Sequence, residues 1–164
     1  MPSSLFSSMP NQFEPFRKDL WTLEFPIQMN IPTQFQVSAA RPKVNHNIIK
    51  VQYKNLETKF KGKTSVDNIT IEFRDAIGAS VYQKLWQWSR EHTDFGTGKG
   101  GYAAAYKKDL ILYMESPDGL PMQKWVLYGC VVESLDGGDL NMTDDSIAGV
   151  KLTLAYDVPD LEYA

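Results

Sequence analysis

The side chains with the greatest chemical potential in this sequence are few, and their spacing does not suit a reaction. The chain has two histidines, His46 and His92, and one cysteine, Cys130. Structural zinc sites use ligand pairs such as Cys-x-x-Cys or His-x-x-x-His, and neither spacing occurs here. No Gly-x-Ser-x-Gly sequence is present to expose a serine nucleophile. Four aspartates between positions 136 and 145 do not match an EF-hand calcium loop, and turn formation explains them.

The glycine-rich segment 96–101, Gly-Thr-Gly-Lys-Gly-Gly, is the part of the chain that most invites a phosphate-binding interpretation. A P-loop has the sequence G-x-x-x-x-G-K-[ST] and leads from a strand into a helix. Here Thr93 occupies the first glycine position, and Gly100 replaces the Ser or Thr after the lysine. The segment also follows a predicted helix. We therefore predict a flexible loop, no catalytic residue, no metal and no cofactor: the chain is not expected to be an enzyme.

Size and composition favour one ordinary globular domain. The chain has 164 residues, of which 43% are apolar, 12% aromatic and 23% charged, which fits a single domain. A lone cysteine excludes an intramolecular disulfide, and we expect Cys130 to be buried and inert. No apolar run approaches the ~20 residues of a membrane span. The first residues lack the basic start and apolar middle of a signal peptide, so a cytoplasmic location is expected.

Charge is divided unevenly along the chain, although the net charge is only −3. From Arg41 to Lys63 there are seven basic residues and one acidic residue, a balance of +6. From Glu115 to Ala164 there are ten acidic residues and two lysines, a balance of −8. Two opposite patches favour head-to-tail contact between copies, which produces rings or filaments. Nucleic-acid binding by the basic segment and a simple solvated surface remain alternatives.

Hydrophobic periodicity predicts about eight strands and one helix. The helix is expected over about 76–91, capped by Asp75 and with Val81, Leu85 and Trp88 on its buried stripe. Alternation over Ile69, Ile71 and Phe73 is the clearest strand pattern. The other predicted strands cover residues 19–25, 34–39, 108–114, 122–132, 140–142 and 150–156.

Residues 43–64 form the predicted long hairpin. Val44 to Tyr53 is expected to contain the first strand, preceded by Asn45 and Asn47 as turn residues. The second strand is expected over Leu56 to Phe60, followed by a turn at 61–63. These elements together predict a mainly β protein, an antiparallel sandwich or barrel with one flanking helix and an extended hairpin loop. The expected layout is an N-terminal arm over 1–18, a β domain over 19–157 and a C-terminal tail over 158–164.

The order of several segments resembles the tail tube proteins of contractile-tailed bacteriophages and the inner-tube proteins of related injection systems. The resemblance extends from about Asp19 to Asp157, and its order and spacing are more specific than any one segment. The segments that carry it are Asp19–Phe25, Asn55–Phe73, Tyr82–Trp88, Tyr106–Lys108, Trp125–Asp136 and Gly149–Asp157. Residues 1–18 and those after Asp157 depart from the pattern.

The resemblance implies a structural virion protein whose six copies close a ring and whose rings stack into a tube for DNA ejection. The implied partners are further copies of the chain, the sheath protein, baseplate and terminator proteins and a tape measure protein in the lumen. DNA would pass through without stable binding. The implied location is the phage tail, after assembly in the host cytoplasm. The hairpin would contact the adjacent ring, and the candidate contact residues are Lys50, Tyr53, Lys54, Lys59, Lys61 and Lys63.

An acidic and polar lumen is expected, because Lys and Arg contacts to phosphates would retain DNA. Six copies at −3 each give a formal −18. The candidate lumen residues are Glu72, Glu133, Asp136 and Asp139.

Two alternatives remain at this stage. A baseplate or tube-initiator protein would share the fold. A β-sandwich binding module would instead expose an aromatic platform, for which the candidates are Trp86, Trp88 and Tyr102.

Overall fold

The computed structural model describes residues 14–163, so most of the predicted N-terminal arm over 1–18 lies outside that range. The described chain contains nine strands and two α-helices, with 3₁₀ turns at Ile27–Met29 and Thr33–Phe35. The strands are β1 Trp21–Glu24, β2 Gln36–Ala39, β3 Val44–Tyr53, β4 Leu56–Val66, β5 Ile69–Arg74, β6 Lys108–Glu115, β7 Pro121–Asp136, β8 Gly149–Ala155 and β9 Val158–Tyr163. The helices are α1 Val81–His92 and α2 Ala103–Tyr106.

Two antiparallel sheets share the long strand β7, which confirms the predicted mainly β, sandwich-like fold. Sheet A contains β1, β6, β9 and the first part of β7, whose residues 121–130 pair with β6. Sheet B contains β2, β5, β8 and the last part of β7, whose residues 131–136 pair with β8. The strand order is β1-β6-β7-β8-β5-β2, with β9 also on β7. This path is open, so the described sheets do not close into a barrel.

Alternation of apolar and polar residues explains the core of sheet B. Every second side chain of β5 and β8 points inward, so one face of each strand is buried and the other is exposed. The buried stripe of α1 packs into the same core as predicted. The inward residues of these three elements are Ile69, Ile71, Phe73, Val81, Leu85, Trp88, Val150, Leu152 and Leu154.

The helix α1 begins five residues later than the predicted start at 76. Gly78 has a φ of 84°, a left-handed conformation that an α-helix does not accommodate. Ser80 is the N-cap, and its hydroxyl accepts from the Gln83 N–H at 3.3 Å. The Asp75 carboxylate still reaches the helix start, accepting from the Val81 N–H at 2.9 Å. Asp75 therefore caps a free helix donor as predicted, although from across a short loop.

The two end strands of the sheet path meet through one side chain. The Leu23 N–H of β1 donates to Gln36 Oε1 at 3.1 Å, and Gln36 Nε2 donates to the Leu23 carbonyl at 2.6 Å. The amide of Gln36 thus supplies the donor and acceptor that a peptide group of a neighbouring strand would supply. This contact brings β1 and β2 together where the backbone ladder is missing.

Two sequence predictions near the C-terminal end need correction. Leu140–Met142, predicted as a short strand, is irregular, because the segment between β7 and β8 is held by side-chain turns at Asp136, Asn141 and Asp144. The predicted C-terminal tail is a strand over Val158–Tyr163. Its backbone pairs with residues 123–128 of β7 and covers the edge of sheet A.

The second strand of the hairpin β3–β4 is longer than predicted, whereas the hairpin turn lies between the two predicted strands. This turn falls at Lys54, which has a φ of 53°, and Asn55. Asn45 and Asn47 lie within β3, and the predicted turn at 61–63 is a bulge within β4. A side chain at Gly62 would press on the Asn47 carbonyl at 2.9 Å, so the glycine permits the bulge instead of a turn. β3 and β4 pair only with each other among the described strands.

Candidate interaction surfaces

The reactive side chains are not gathered into a site. In the described range, no group of three His, Cys, Asp or Glu residues lies close enough together to hold a metal ion. Neither described α-helix has the length and apolarity to cross a bilayer. Cys130 is fully buried as predicted, and its thiol donates to the Leu127 carbonyl at 3.3 Å. Burial raises the pKa of this thiol to about 12, so the reactive thiolate is scarce at neutral pH.

The glycine-rich segment 96–101, predicted to be a flexible loop, is a hydrogen-bonded turn in the structure. The Asp94 carboxylate accepts from the Gly96 N–H at 2.9 Å, and the Asp94 carbonyl accepts from the Gly98 N–H at 2.7 Å. Chiefly the first of these bonds lowers the pKa of Asp94, with Arg90 nearby adding to the effect. The glycines serve the turn, since Gly98 has a φ of 70°.

The hairpin has one apolar face and one basic face. Directly opposite residues share a face of a two-stranded sheet. On one face Ile49 pairs with Phe60, Val51 with Thr58, and Tyr53 with Leu56. The five apolar members of this face are 49–73% exposed in the described chain. A hydrophobic sheet face left in water is typical of an interaction surface.

The opposite face of the hairpin carries three of the six predicted inter-ring residues. Lys50 lies directly opposite Lys59, and Lys61 lies opposite Ile48. Glu57 is the one acidic residue of the hairpin, and its carboxylate is 3.9 Å from the Lys50 ammonium. Like charges opposite each other destabilise a hairpin, so this face favours an anionic neighbour. The structure separates Tyr53, on the apolar face, from these lysines; Lys54 lies at the turn and Lys63 in the bulge.

The exposed face of sheet B brings together two of the predicted lumen residues. Lys151 of β8 lies directly between Glu72 of β5 and Asp136 of β7. Arg74 is exposed on the same side of β5 as Glu72, because both are two residues apart on one strand. This face is therefore mixed in charge and not uniformly acidic, a feature that the sequence alone did not reveal.

Glu133 lies at an irregularity of the same strand. The register of β7 against β8 shifts between Val132 and Ser134, so Glu133 is the extra residue of a bulge. Its carboxylate accepts a hydrogen bond from Asn68, just before β5. Glu133 is thus at one end of sheet B, away from Asp136 at the other end.

A cleft of about 510 Å³ lies at the Arg74 end of sheet B; we call it the end cleft. Leu140 and Ile147, which are 93% and 70% exposed, supply apolar parts of its wall. Two cations, Arg74 and Lys151, also line it. Its four carboxylates belong to Glu72, Asp136, Asp139 and Asp144. Three of the four predicted lumen residues therefore surround one cleft.

The hairpin and the end cleft lie at opposite ends of sheet B. The hairpin enters sheet B directly before Ile69, and its base is closed by the Asp67 N–H donating to the Lys43 carbonyl at 3.0 Å. β5 then runs to Arg74, which lies opposite Gly149. The segment 137–148 connects β7 to β8 at that far end. A basic projection at one end and a partly acidic cleft at the other is the arrangement needed for head-to-tail contact.

Sheet B also has two unpaired edges. β2 pairs only with β5, and the last residues of β7, 131–136, pair only with β8 among the described strands. Exposed edges are templates for pairing with another chain.

The aromatic platform of the binding-module alternative is not assembled. Trp88 is 2% exposed, and its indole N–H donates to the Tyr106 carbonyl at 2.6 Å. Trp86 is instead exposed and packs against Phe95, with 5.4 Å between the ring centroids. The burial of Trp88 removes the specific observation that would favour the binding-module alternative.

The apolar side of the hairpin and that of the end cleft were not predicted from the sequence. The alternation of Ile49, Val51 and Tyr53 was visible, but its exposure was not, because a strand usually turns its apolar face to a core. Leu140 and Ile147 carry no periodic pattern that would have indicated an exposed wall.

Comparisons with known proteins agree with the architecture. Residues 32–158 match the family model described as T4-like virus tail tube protein gp19. A search of curated proteins by sequence finds no match.

Solved structures with a similar fold come from contractile assemblies. The tube-terminating cap of the anti-feeding prophage has a TM-score of 0.72 and 16% identity, covering 99% of this chain and 100% of that one. The sheath/tube terminator of the extracellular contractile injection system PVC has a TM-score of 0.70 and 16% identity, covering 92% and 99%. A chain of the PVC sheath-tube complex has a TM-score of 0.68 and 15% identity, covering 92% and 93%. At these identities the likeness concerns the fold.

Proposed function

The chain belongs to the T4-like virus tail tube protein gp19 family, and on that premise we propose that six copies close a ring and that rings stack into the inner tube of a contractile tail. The family is one of structural tube proteins and not of enzymes. The observation that carries the proposal is the incompleteness of the isolated chain. Within residues 14–163, sheet B has two unpaired edges and the hairpin is uncovered.

Ring closure follows from the two edges of sheet B. Joining β2 of one copy to residues 131–136 of the next would satisfy both rows of free backbone groups. Repeated around a ring, this pairing leaves no open edge on sheet B, which protects those edges against uncontrolled strand addition. The exposed face of sheet B would then line one side of a continuous wall.

That face is the lumen in this proposal. Glu72, Glu133 and Asp136 would face the channel, and Asp139 would lie at its rim, beside the end cleft. Lys151 and Arg74 offset part of the negative charge, so DNA and a tape measure protein would meet a mixed surface with few unopposed cations. Such a surface favours passage over retention, because tight phosphate contacts need unneutralised Lys and Arg.

The remaining partners follow from the place of a tube in a tail. The outer surface would contact the sheath protein, and the two tube ends would contact baseplate and terminator proteins. The tube would serve as the conduit for DNA ejection in the virion, after assembly in the cytoplasm of the host cell.

A position at one end of the tube, as an initiator on the baseplate or a terminator, is the second candidate. The fold likeness to a cap and to a terminator favours it, since both resemble the chain as closely as a sheath-tube chain does. The two candidates differ in self-association: a tube protein stacks ring upon ring, whereas an end protein stops at one ring.

Negative-stain electron microscopy and sedimentation velocity of the purified full chain test the proposal. We expect rings of sixfold symmetry that convert to tubes as protein concentration rises. Single rings that never stack would support the tube-end candidate. A monomer at millimolar concentration, with no rings in the presence of the other tail proteins, would contradict both.

A further inference from the structure

We propose that the end cleft is the docking site for the hairpin tip, residues 53–56, of a copy in the adjacent ring. This inference rests on the proposed stacking and assigns the surface that receives the hairpin. The occupant is thus a second copy of this chain, and the contact joins apolar side chains inside a rim of opposite charges.

The hairpin requires a cover that the described part of its own chain does not supply. A two-stranded sheet alone is marginally stable in water, and β3 and β4 pair with no other described strand. The exposure of the apolar face is greatest at the tip, where Tyr53 is 70% and Leu56 is 73% exposed. A rigid aromatic side chain at the end of a projection is a typical anchor for binding.

The hairpin is long enough to place this tip beyond its own domain. The ten residues of β3 span about 33 Å at roughly 3.3 Å per residue. The six residues of β5 span about 20 Å by the same measure. Because the hairpin leaves sheet B at the end away from the end cleft, its tip reaches the cleft of another copy and not its own.

The end cleft matches the tip in chemistry. Leu140 and Ile147 offer apolar surface for Tyr53 and Leu56. Its volume of about 510 Å³ lies in the range of roughly 300–1,000 Å³ for pockets that hold small ligands. Around it lie four carboxylates and two cations, a balance of −2. From Lys43 to Val66 the hairpin has six lysines and one glutamate, a balance of +5.

Lys54 is the cation that this docking brings to the cleft. It lies at the turn between Tyr53 and Leu56, with its ammonium 5.4 Å from the Tyr53 ring centroid. Asp139 is exposed on the cleft wall and, unlike Asp144, accepts no hydrogen bond from a nearby turn in the described structure. The charge of Asp139 can therefore be reversed without removing a hydrogen bond of a turn. Lys54→Glu replaces one unbranched side chain by another at the left-handed position of the hairpin turn.

A charge exchange tests the contact. Lys54→Glu and Asp139→Lys are each expected to raise the protein concentration at which half of the rings are in tubes by about tenfold, roughly one lost ion pair with new repulsion. The double variant restores tubes to within about threefold of the unchanged chain. Tube length by electron microscopy and the pelleted fraction at pH 7 and low salt are the readouts.

Replacing the apolar residues of the end cleft gives a second, independent test. Leu140→Ser with Ile147→Ser is expected to abolish tubes and to leave rings intact, because both side chains are already exposed in the folded chain. Ile27→Ser is the matched control, since Ile27 is 96% exposed and does not line the end cleft. Its tubes are expected to be unchanged. Circular dichroism and ring formation verify that each variant is folded.

The outcomes separate this inference from the function on which it rests. If the variants of the end cleft still form tubes, or if the double charge-exchange variant does not regain them, the proposed docking is wrong. Either result leaves the assignment as a tube protein intact. Rings of the unchanged chain that never stack also overturn the proposed docking. A chain without rings contradicts the proposed function itself.

Discussion

Gly129 lies close to the point, between residues 130 and 131, where β7 passes from sheet A to sheet B. Its φ of 66° bends the strand there. The bend is held by side chains, because the Gly129 N–H donates to the Asp109 carboxylate at 3.0 Å. The Asp157 carboxylate, paired with Lys107 at 2.7 Å, fills the space where a side chain would stand.

Gly129→Ala is therefore expected to destabilise the chain more than an ordinary replacement of a left-handed glycine. Gly119→Ala is the control, because Gly119 has a φ of 83° but open space around it. The control should cost about 1–2 kcal/mol, and Gly129→Ala should cost clearly more because it also displaces Asp157. The urea concentrations at which half of the unassembled protein is unfolded measure both losses of stability. Equal midpoints for the two variants would show that the Asp157 carboxylate does not restrict a side chain at position 129.

The buried thiol gives a second prediction at this scale. With its pKa raised to about 12 by burial, Cys130 should react with a disulfide reagent at pH 8 only as fast as the chain unfolds. Labelling should become rapid in urea, where the thiol regains its ordinary pKa near 8.5. Rapid labelling of folded protein would place the thiol at the surface.

At the scale of elements, strands with alternating apolar residues were predictable from the sequence, whereas features that depend on the pairing register between strands were not. The core strands β5 and β8 were predictable because apolar residues alternate in both. Gly62 resembled a turn residue, whereas pairing across the hairpin makes it part of a bulge. β9 was missed because Pro159 and Asp160 interrupt its apolar pattern, and its pairing with β7 is long-range. The end cleft was not predictable, since it depends on how 137–148 folds over sheet B.

The contact of β1 with β2 through Gln36 is testable as a property of the sheet. Gln36→Leu should destabilise the chain by about 1–3 kcal/mol, because the Leu23 N–H and carbonyl lose their partner. Gln34→Leu, at an exposed position of the preceding 3₁₀ turn, should have little effect. The melting temperatures of both variants test this prediction. Equal melting temperatures would mean that water replaces the Gln36 amide as the partner of Leu23.

At the scale of the whole molecule, two kinds of interaction surface serve two kinds of contact. The two edges of sheet B suit closure of a ring, whereas the hairpin and the end cleft lie at opposite ends of sheet B and suit stacking of rings. A contact between different surfaces on identical copies continues without limit unless rotation closes it. One chain therefore carries the information for both a closed ring and an open tube.

The lumen assignment predicts how rings respond to DNA. Glu72→Lys with Asp136→Lys would leave Lys151 among cations, and rings of this variant should bind DNA with an affinity that falls steeply with salt. Rings are compared because both residues also line the end cleft, so their replacement is expected to disturb stacking. Asp160→Lys, on β9 of sheet A, is the control and should not bind. Gel retardation with rings of the unchanged chain and of both variants measures this. Equal DNA binding by all three proteins would place Glu72 and Asp136 outside the channel.

The most direct test of the account is a cryo-EM reconstruction of assembled material at a resolution that traces strands. The account predicts six copies per ring, β2 of each copy paired with residues 131–136 of the next, the exposed face of sheet B toward the channel, and every hairpin reaching an adjacent ring. A reconstruction with sheet A lining the channel, or with the edges of sheet B unpaired, would contradict it.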